Sequence, residues 1–231
     1  MRKFISLAIA VLLALPAMAS ITNEELIKIQ QTKKYTELWG QRATLFNTLG
    51  CDSTNIVMLG NSLTHGCEWH ELLGDDRVIN RGINGDIVEG ITDRLDCVVE
   101  GHPAKIFLLT GANDVSHNLT ADSIARATGE LVHKIRERSP QTKVYVQSML
   151  PINYKTYQRY KAMKDKEQVI RDVNKFLKPI VEAEGAVWIN LYDSFADEEG
   201  NLHVDWTNDG LHITAPGYLK WREIILPYIK E

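Results

Sequence analysis

The sequence predicts an α/β fold: a five-stranded parallel sheet with helices on both faces, a three-layer α/β/α sandwich. Three observations predict it. Short, strongly apolar runs alternate with helical patterns along the chain, as in sheets covered on both sides. The runs are too apolar for strands with one wet face. Residues with useful chemistry fall just after the runs, beyond the carboxyl ends of the strands, where such sheets place their ligands.

The first nineteen residues read as a secretory signal peptide. Arg2 and Lys3 give a basic start, Phe4 to Leu15 is apolar, Pro16 breaks the run, and Ala17-Met18-Ala19 is a small-x-small cleavage site. The apolar run is shorter than the roughly 20 residues needed to span a bilayer. Residues 20–231 are then expected to form one domain, in the periplasm or secreted beyond it. Loss of Arg2 and Lys3 leaves 24 basic against 30 acidic residues, a net charge of −6. That balance argues against nucleic acid and against an anionic membrane surface as partners. Cys51, Cys67 and Cys97 have no zinc-like spacing and read as small buried hydrophobes.

The remaining chain opens with a helix. Thr22 and Glu25 form a capping box, Ile21 and Leu26 are placed as its hydrophobic staple, and the pattern runs to about Asn47, with Gly50 beyond. Strands are predicted at Asn55 to Leu59, Arg77 to Asn80, Lys105 to Thr110, Lys143 to Ser148 and Ala186 to Asn190. A helix is predicted over about Ile87 to Val99, and another from Thr120 or Asp122 with Ile124, Leu131 and Ile135 inward. A third carries Val169, Val173, Leu177 and Ile180 at helical spacing, and a last one begins near Pro216.

Four segments carry chemistry. Ser62, in Gly60-Asn61-Ser62-Leu63-Thr64, follows the first strand, where backbone N–H groups collect; a serine there is a nucleophile only if a base takes its proton. Gly82, in Asn80-Arg81-Gly82-Ile83-Asn84-Gly85-Asp86, is placed to aim its N–H at a ligand oxygen. Asn113, in Gly111-Ala112-Asn113-Asp114, offers an amide donor to a developing oxyanion. Asp209-Gly210-Leu211-His212 supplies a general base and a carboxylate to orient it. Taken singly, each segment fits an ordinary role better: a helix cap, a strand-to-helix turn, a plain loop. Together they give a nucleophile, two oxyanion donors and an acid–base pair.

The combination resembles the SGNH hydrolases, also called the GDSL-type esterase/lipase family. The four invariant Ser, Gly, Asn and His of that family match Ser62, Gly82, Asn113 and His212. Asn80 to Asp86 is especially similar to the branch containing the catalytic subunits of platelet-activating factor acetylhydrolase, and the resemblance spans Ile56 to about Tyr218. It implies a flavodoxin-like SGNH hydrolase fold and a serine esterase that needs no metal or organic cofactor. Catalytic residues would be Ser62, Asp209 and His212, with an oxyanion hole of Ser62, Gly82 and Asn113. Two departures stand out. Asn61 replaces the aspartate of the usual Gly-Asp-Ser block, and Thr64 stands where the Gly-x-Ser-x-Gly elbow of α/β-hydrolases has its second glycine.

For the substrate, the resemblance allows acetyl-sugars, short-chain esters, lysophospholipids and thioesters. No long exposed apolar segment supplies a lid for a long acyl chain. Export and the lack of a cofactor make acetyl esters on carbohydrate the first reading. The Tyr- and Lys-rich stretch from Pro151 to Lys164 either borders the site, with Tyr154 as a candidate substrate contact, or is a solvated loop with scattered aromatics; Trp206 is a second candidate contact or a core residue. A lysophospholipase or general short-chain esterase is the second reading. A non-catalytic carbohydrate-binding protein on a hydrolase scaffold is a third.

Overall fold

A computed structural model describes residues 20–231; the expected signal peptide lies outside the described residues. Five strands form one parallel sheet: β1 (Ile56–Gly60), β2 (Val78–Gly82), β3 (Lys105–Leu109), β4 (Lys143–Gln147) and β5 (Val187–Ile189). Their order is β2-β1-β3-β4-β5. The chain leaves β1 to one side for β2 and crosses to the other side for β3. This reversal opens a crevice beyond the carboxyl ends of β1 and β3.

Side-chain alternation along the strands fills two separate cores. Val57, Leu59, Ile106, Leu108, Val144 and Val146 face one way. They meet Trp39 and Phe46 and the inner faces of two long helices, Ala121–Arg138 and Glu167–Ala183. Ile56, Met58, Phe107, Leu109 and Tyr145 face the other way, toward Trp69, Phe195 and the last helix, Ala215–Lys230. Both sheet faces are therefore buried, which accounts for the absence of polar alternation in β1 and β3. The paired helices Ala121–Arg138 and Glu167–Ala183 meet where Gly129 faces Ile180; a Cβ on Gly129 would strike that side chain.

The opening helix is two helices rather than one. Asn23–Lys33 carries the Thr22–Glu25 capping box with both reciprocal hydrogen bonds. It ends where Lys34 turns left-handed at φ 57°, and Thr36 caps a second helix, Glu37–Leu49. The break lets Tyr35 pack on Trp39 and donate to Asp93. The stretch predicted as one helix from Ile87 is likewise two short pieces, Val88–Asp93 and Asp96–Val99, because Arg94 turns inward between them and is fully buried. All three cysteines are free thiols; Cys67 and Cys97 are buried and Cys51 is half-buried. No helix among the described residues is long and apolar enough to cross a membrane.

Trp221 holds the second core to the sheet. It is fully buried, lies edge-on to Trp69 at 5.0 Å and donates its indole N–H to Gln147 Oε1 at 2.6 Å. Trp221→Ala opens a cavity and strands that acceptor, at an expected cost of about 3–5 kcal/mol. Urea denaturation measures it; a loss below about 1 kcal/mol would contradict this packing.

Candidate active site

Ser62 is the first residue of a one-turn helix, Ser62–His65, directly after β1. Asn61 caps this turn by accepting the Leu63 N–H at 3.1 Å. An uncharged side chain thus performs the capping at the position where an aspartate was expected. The turn packs tightly on the sheet. A Cβ on Gly60 would collide with Leu109 O and Thr64 Oγ1, so β1 must end in glycine for Ser62 to sit this close.

The segment 207–212 folds around its own carboxylate. Asp209 Oδ1 accepts the N–H groups of Leu211 and His212, at 2.9 and 2.8 Å, an Asx-type turn. Gly210 takes the left-handed conformation this requires, φ 83°. Asp209 Oδ2 is left for the imidazole and lies 2.8 Å from His212 Nδ1. His212 Nε2 lies 3.0 Å from Ser62 Oγ. Three side chains predicted to act together, one of them 150 residues from its neighbour, therefore form a continuous line. With Nδ1 protonated toward the carboxylate, Nε2 is the acceptor for the serine proton. Burial pushes the Asp209 carboxyl up, but the hydrogen bonds from His212 and the Leu211 and His212 N–H groups outweigh it. The net shift is downward, favouring the carboxylate.

Opposite this line lies a cleft of about 590 Å³, bordered by Ser62, Asn84, Gly85, Asn113, Tyr160 and His212 among others. Asn113 enters it from the turn after β3, and its Nδ2 donates to Asp86 O at 2.8 Å; the second amide hydrogen remains available. Gly82 does not enter it. Its N–H donates to Asn80 Oδ1 at 2.8 Å, and a Cβ there would strike the His65 and Thr64 backbone. The glycine at 82 is needed for packing the Ser62 turn, so the expectation that it binds an oxyanion is corrected. Gly85 borders the cleft beside Ser62 and Asn113, in a left-handed conformation at φ 78°. Neither its N–H nor that of Ser62 has a hydrogen-bond partner among the described residues. Tyr154 and Trp206 do not border the cleft; Trp206 stacks on His203 and meets Phe195 edge-on.

Behind the cleft, Arg94 and Asp86 form an ion pair of 2.8 Å with both side chains fully buried. Arg94 also donates to Gly60 O and Arg81 O, at 3.2 and 2.9 Å. Asp86 accepts the Trp39 indole N–H at 3.2 Å. Burial pushes the Asp86 carboxyl up, and Arg94 and Trp39 only partly pull it back. The Arg94 guanidinium stays protonated, and its 2.8 Å contact favours the carboxylate form of its partner. Among the described residues no cluster of three or more His, Cys, Asp or Glu side chains is placed to hold a metal ion.

Residues 58–220 match the model of the GDSL-like lipase/acylhydrolase family. The chain belongs to that family. Human platelet-activating factor acetylhydrolase IB subunit alpha1 is 27% identical over 170 residues, covering 71% of this chain and 70% of the human one. A Streptococcus pneumoniae structure described as a platelet activating factor superposes with a TM-score of 0.77 at 23% identity, covering 88% of this chain and 98% of the other. The acetylxylan esterase Axe2 of Geobacillus stearothermophilus superposes with a TM-score of 0.63 at 16% identity, covering 78% and 96%. These solved structures share the fold.

Within this acylhydrolase framework one residue escaped the sequence reading. Tyr160 Oη donates to Asp209 Oδ2 at 3.0 Å and lies 3.3 Å from His212 Nδ1, with its ring edge-on to the imidazole. It was visible only as one of several tyrosines between 151 and 164. Tyr160→Phe removes a single hydrogen bond to a charged acceptor, and a three- to tenfold loss of kcat/KM is expected, about 0.7–1.4 kcal/mol. Unchanged ester hydrolysis would show that the hydroxyl does not support the pair.

Asp114 lends the site a pH dependence. It is buried and accepts the Val88 N–H at 3.2 Å. Burial, only partly offset by that bond, pushes its carboxyl up to about 6. A raised carboxyl favours the folded state below the unfolded value near 4, and that contribution is lost as pH climbs through about 6. Asp114→Asn should therefore gain on the wild type by roughly 2–3 kcal/mol between pH 4 and 7. Chemical denaturation at both pH values tests this, and a pH-independent difference would contradict it.

Proposed function

We propose that this acylhydrolase is an exported serine esterase that removes acetyl groups from carbohydrate through a Ser62–His212–Asp209 relay. The observation that carries the proposal is the 3.0 Å contact between His212 Nε2 and Ser62 Oγ, with Asp209 2.8 Å from the other ring nitrogen. In the proposed reaction His212 takes the Ser62 proton as Oγ attacks the ester carbonyl. The tetrahedral oxyanion accepts hydrogen bonds from the Ser62 and Gly85 N–H groups and the free amide hydrogen of Asn113. Collapse expels the alcohol, which takes the proton from His212 and leaves an acetyl-Ser62. A water activated by His212 then releases acetate. Asp209 stabilises the charged imidazole at both stages, and Tyr160 holds Asp209.

The cleft is open to solvent along Asn84, Arg159 and Lys161, beside an apolar lining of Ala112, Tyr160, Ala162, Met163 and Leu211. A short acyl group is supported by the names of similar proteins, acetylhydrolase and acetylxylan esterase, which refer to acetyl esters. Export is argued from the composition of residues 1–19 alone. Among the other readings, a non-catalytic binding protein is disfavoured by the intact Ser–His–Asp line, which sugar binding does not require.

Ser62→Ala should abolish release of nitrophenol from 4-nitrophenyl acetate while leaving thermal stability near wild type. Asn113→Ala should lower kcat by about 10²–10³. The wild type should prefer acetyl to octanoyl esters by at least about tenfold. Ample turnover by a well-folded Ser62→Ala protein would refute the relay, and an octanoyl preference would refute the acetyl assignment.

A further inference from the structure

The cleft is bordered by two cations and no carboxylate. Arg159 and Lys161 line it, whereas none of its lining residues is Asp or Glu. This reverses the sign of the chain as a whole, in which acidic residues outnumber basic ones, 30 to 26. Elsewhere on the surface some cations, among them Lys33, Arg77, Arg126, Arg138, Lys143 and Lys155, have a carboxylate within 4.0 Å. Others, among them Lys28, Lys134 and Lys175, have none among the described residues but lie away from the cleft. Arg159 and Lys161 pair with no carboxylate among the described residues, although both are exposed. The nearest acidic member of the proposed relay, Asp209, is already engaged by His212 and Tyr160.

The backbone that carries the two cations is anchored. They flank Tyr160, whose hydroxyl is fixed on Asp209 beside the His212 ring. Arg159 lies over the Tyr160 ring at 6.0 Å, and two residues beyond Lys161, Met163 is buried. The segment is therefore anchored on both sides, and it presents its charges along the rim of the cleft that holds the Ser62 hydroxyl. Across the opening, Asn84 and Ser116 offer neutral polar groups suited to sugar hydroxyls.

We infer that the alcohol part of the ester is an acidic sugar whose anionic group is bound by Arg159 and Lys161. The inference rests on the esterase reading and adds a substrate class to it. An anion at this rim gains attraction from both cations at once, in a concave site where the field is focused. The gain is felt on binding and is screened by salt. The anion itself is either a carboxylate, as in a uronate, or a phosphate ester; both satisfy the same pair of cations.

The test compares three O-acetylated methyl glycosides: a neutral hexoside, the corresponding uronate, and the corresponding sugar phosphate. At low ionic strength the wild type should show a kcat/KM for one or both anionic substrates at least tenfold above the neutral one. The ratio should fall toward unity in 0.5 M sodium chloride. In Arg159→Ala/Lys161→Ala the ratio should collapse at low salt, and in Arg159→Glu/Lys161→Glu it should invert. Because each ratio is taken within one protein, a partly impaired variant still reports. The uronate and phosphate arms separate the two anions. Equal kcat/KM for neutral and anionic esters in the wild type would overturn the inference, as would a preference that survives charge reversal. If no ester is hydrolysed, the esterase reading fails on its own. Calorimetric binding of the deacetylated uronate and sugar phosphate to wild type and the double alanine variant then decides the cation site: binding lost in the variant supports it, and no binding or equal binding overturns it.

Discussion

The buried pairing of Arg94 with Asp86 is the constraint from which the site is organised. Arg94 grips the carbonyls of Gly60, the last residue of β1, and Arg81, the last but one of β2. Asp86 holds Trp39 with its carboxylate and Asn113 with its main-chain carbonyl. Three loops that must converge on one acyl carbon are thereby tied to a single charged centre. Such a pair is not a good source of stability, since desolvation offsets much of the attraction. Its value here is positional: loss of either partner leaves a buried charge beside the turns that carry Ser62, Gly85 and Asn113. Neither partner borders the cleft.

The parallel sheet explains why so few residues suffice. Its switch point between β1 and β3 opens a crevice where the Ser62 turn and the Asn113 turn lie side by side. The last loop before the helix Ala215–Lys230 brings His212 over that crevice. Because Asp209 folds the loop around its own Oδ1, the imidazole arrives already oriented. In the proposed mechanism a base fixed in this way needs little reorganisation as charge develops.

Much of this was legible in the sequence, for reasons that differ by residue. The five strands stood out because burial on both faces makes a continuous apolar run. Ser62, Asn113, Asp209 and His212 were marked by residue type and by position after a strand or before the last helix. The glycine was misplaced because Gly82 and Gly85 share one turn, and sequence does not reveal which N–H is already engaged. Asn80 Oδ1 takes that of Gly82, so only the three-dimensional turn distinguishes them. Tyr160 did not stand out because nothing in the sequence separates it from Tyr154 and Tyr157; only the fold brings its hydroxyl to Asp209. The break at Lys34 was hidden because a lysine in the left-handed region leaves no composition signal, unlike a glycine.

The most direct test of the central claim is a crystal structure of the protein after reaction with a 4-nitrophenyl alkylphosphonate, a tetrahedral mimic of the attacked ester. The account predicts phosphorus bonded to Ser62 Oγ. The phosphoryl oxygen should lie about 2.7–3.1 Å from the Ser62 and Gly85 nitrogens and Asn113 Nδ2. An adduct on another residue, or an oxygen turned away from Gly85 and Asn113, would contradict it.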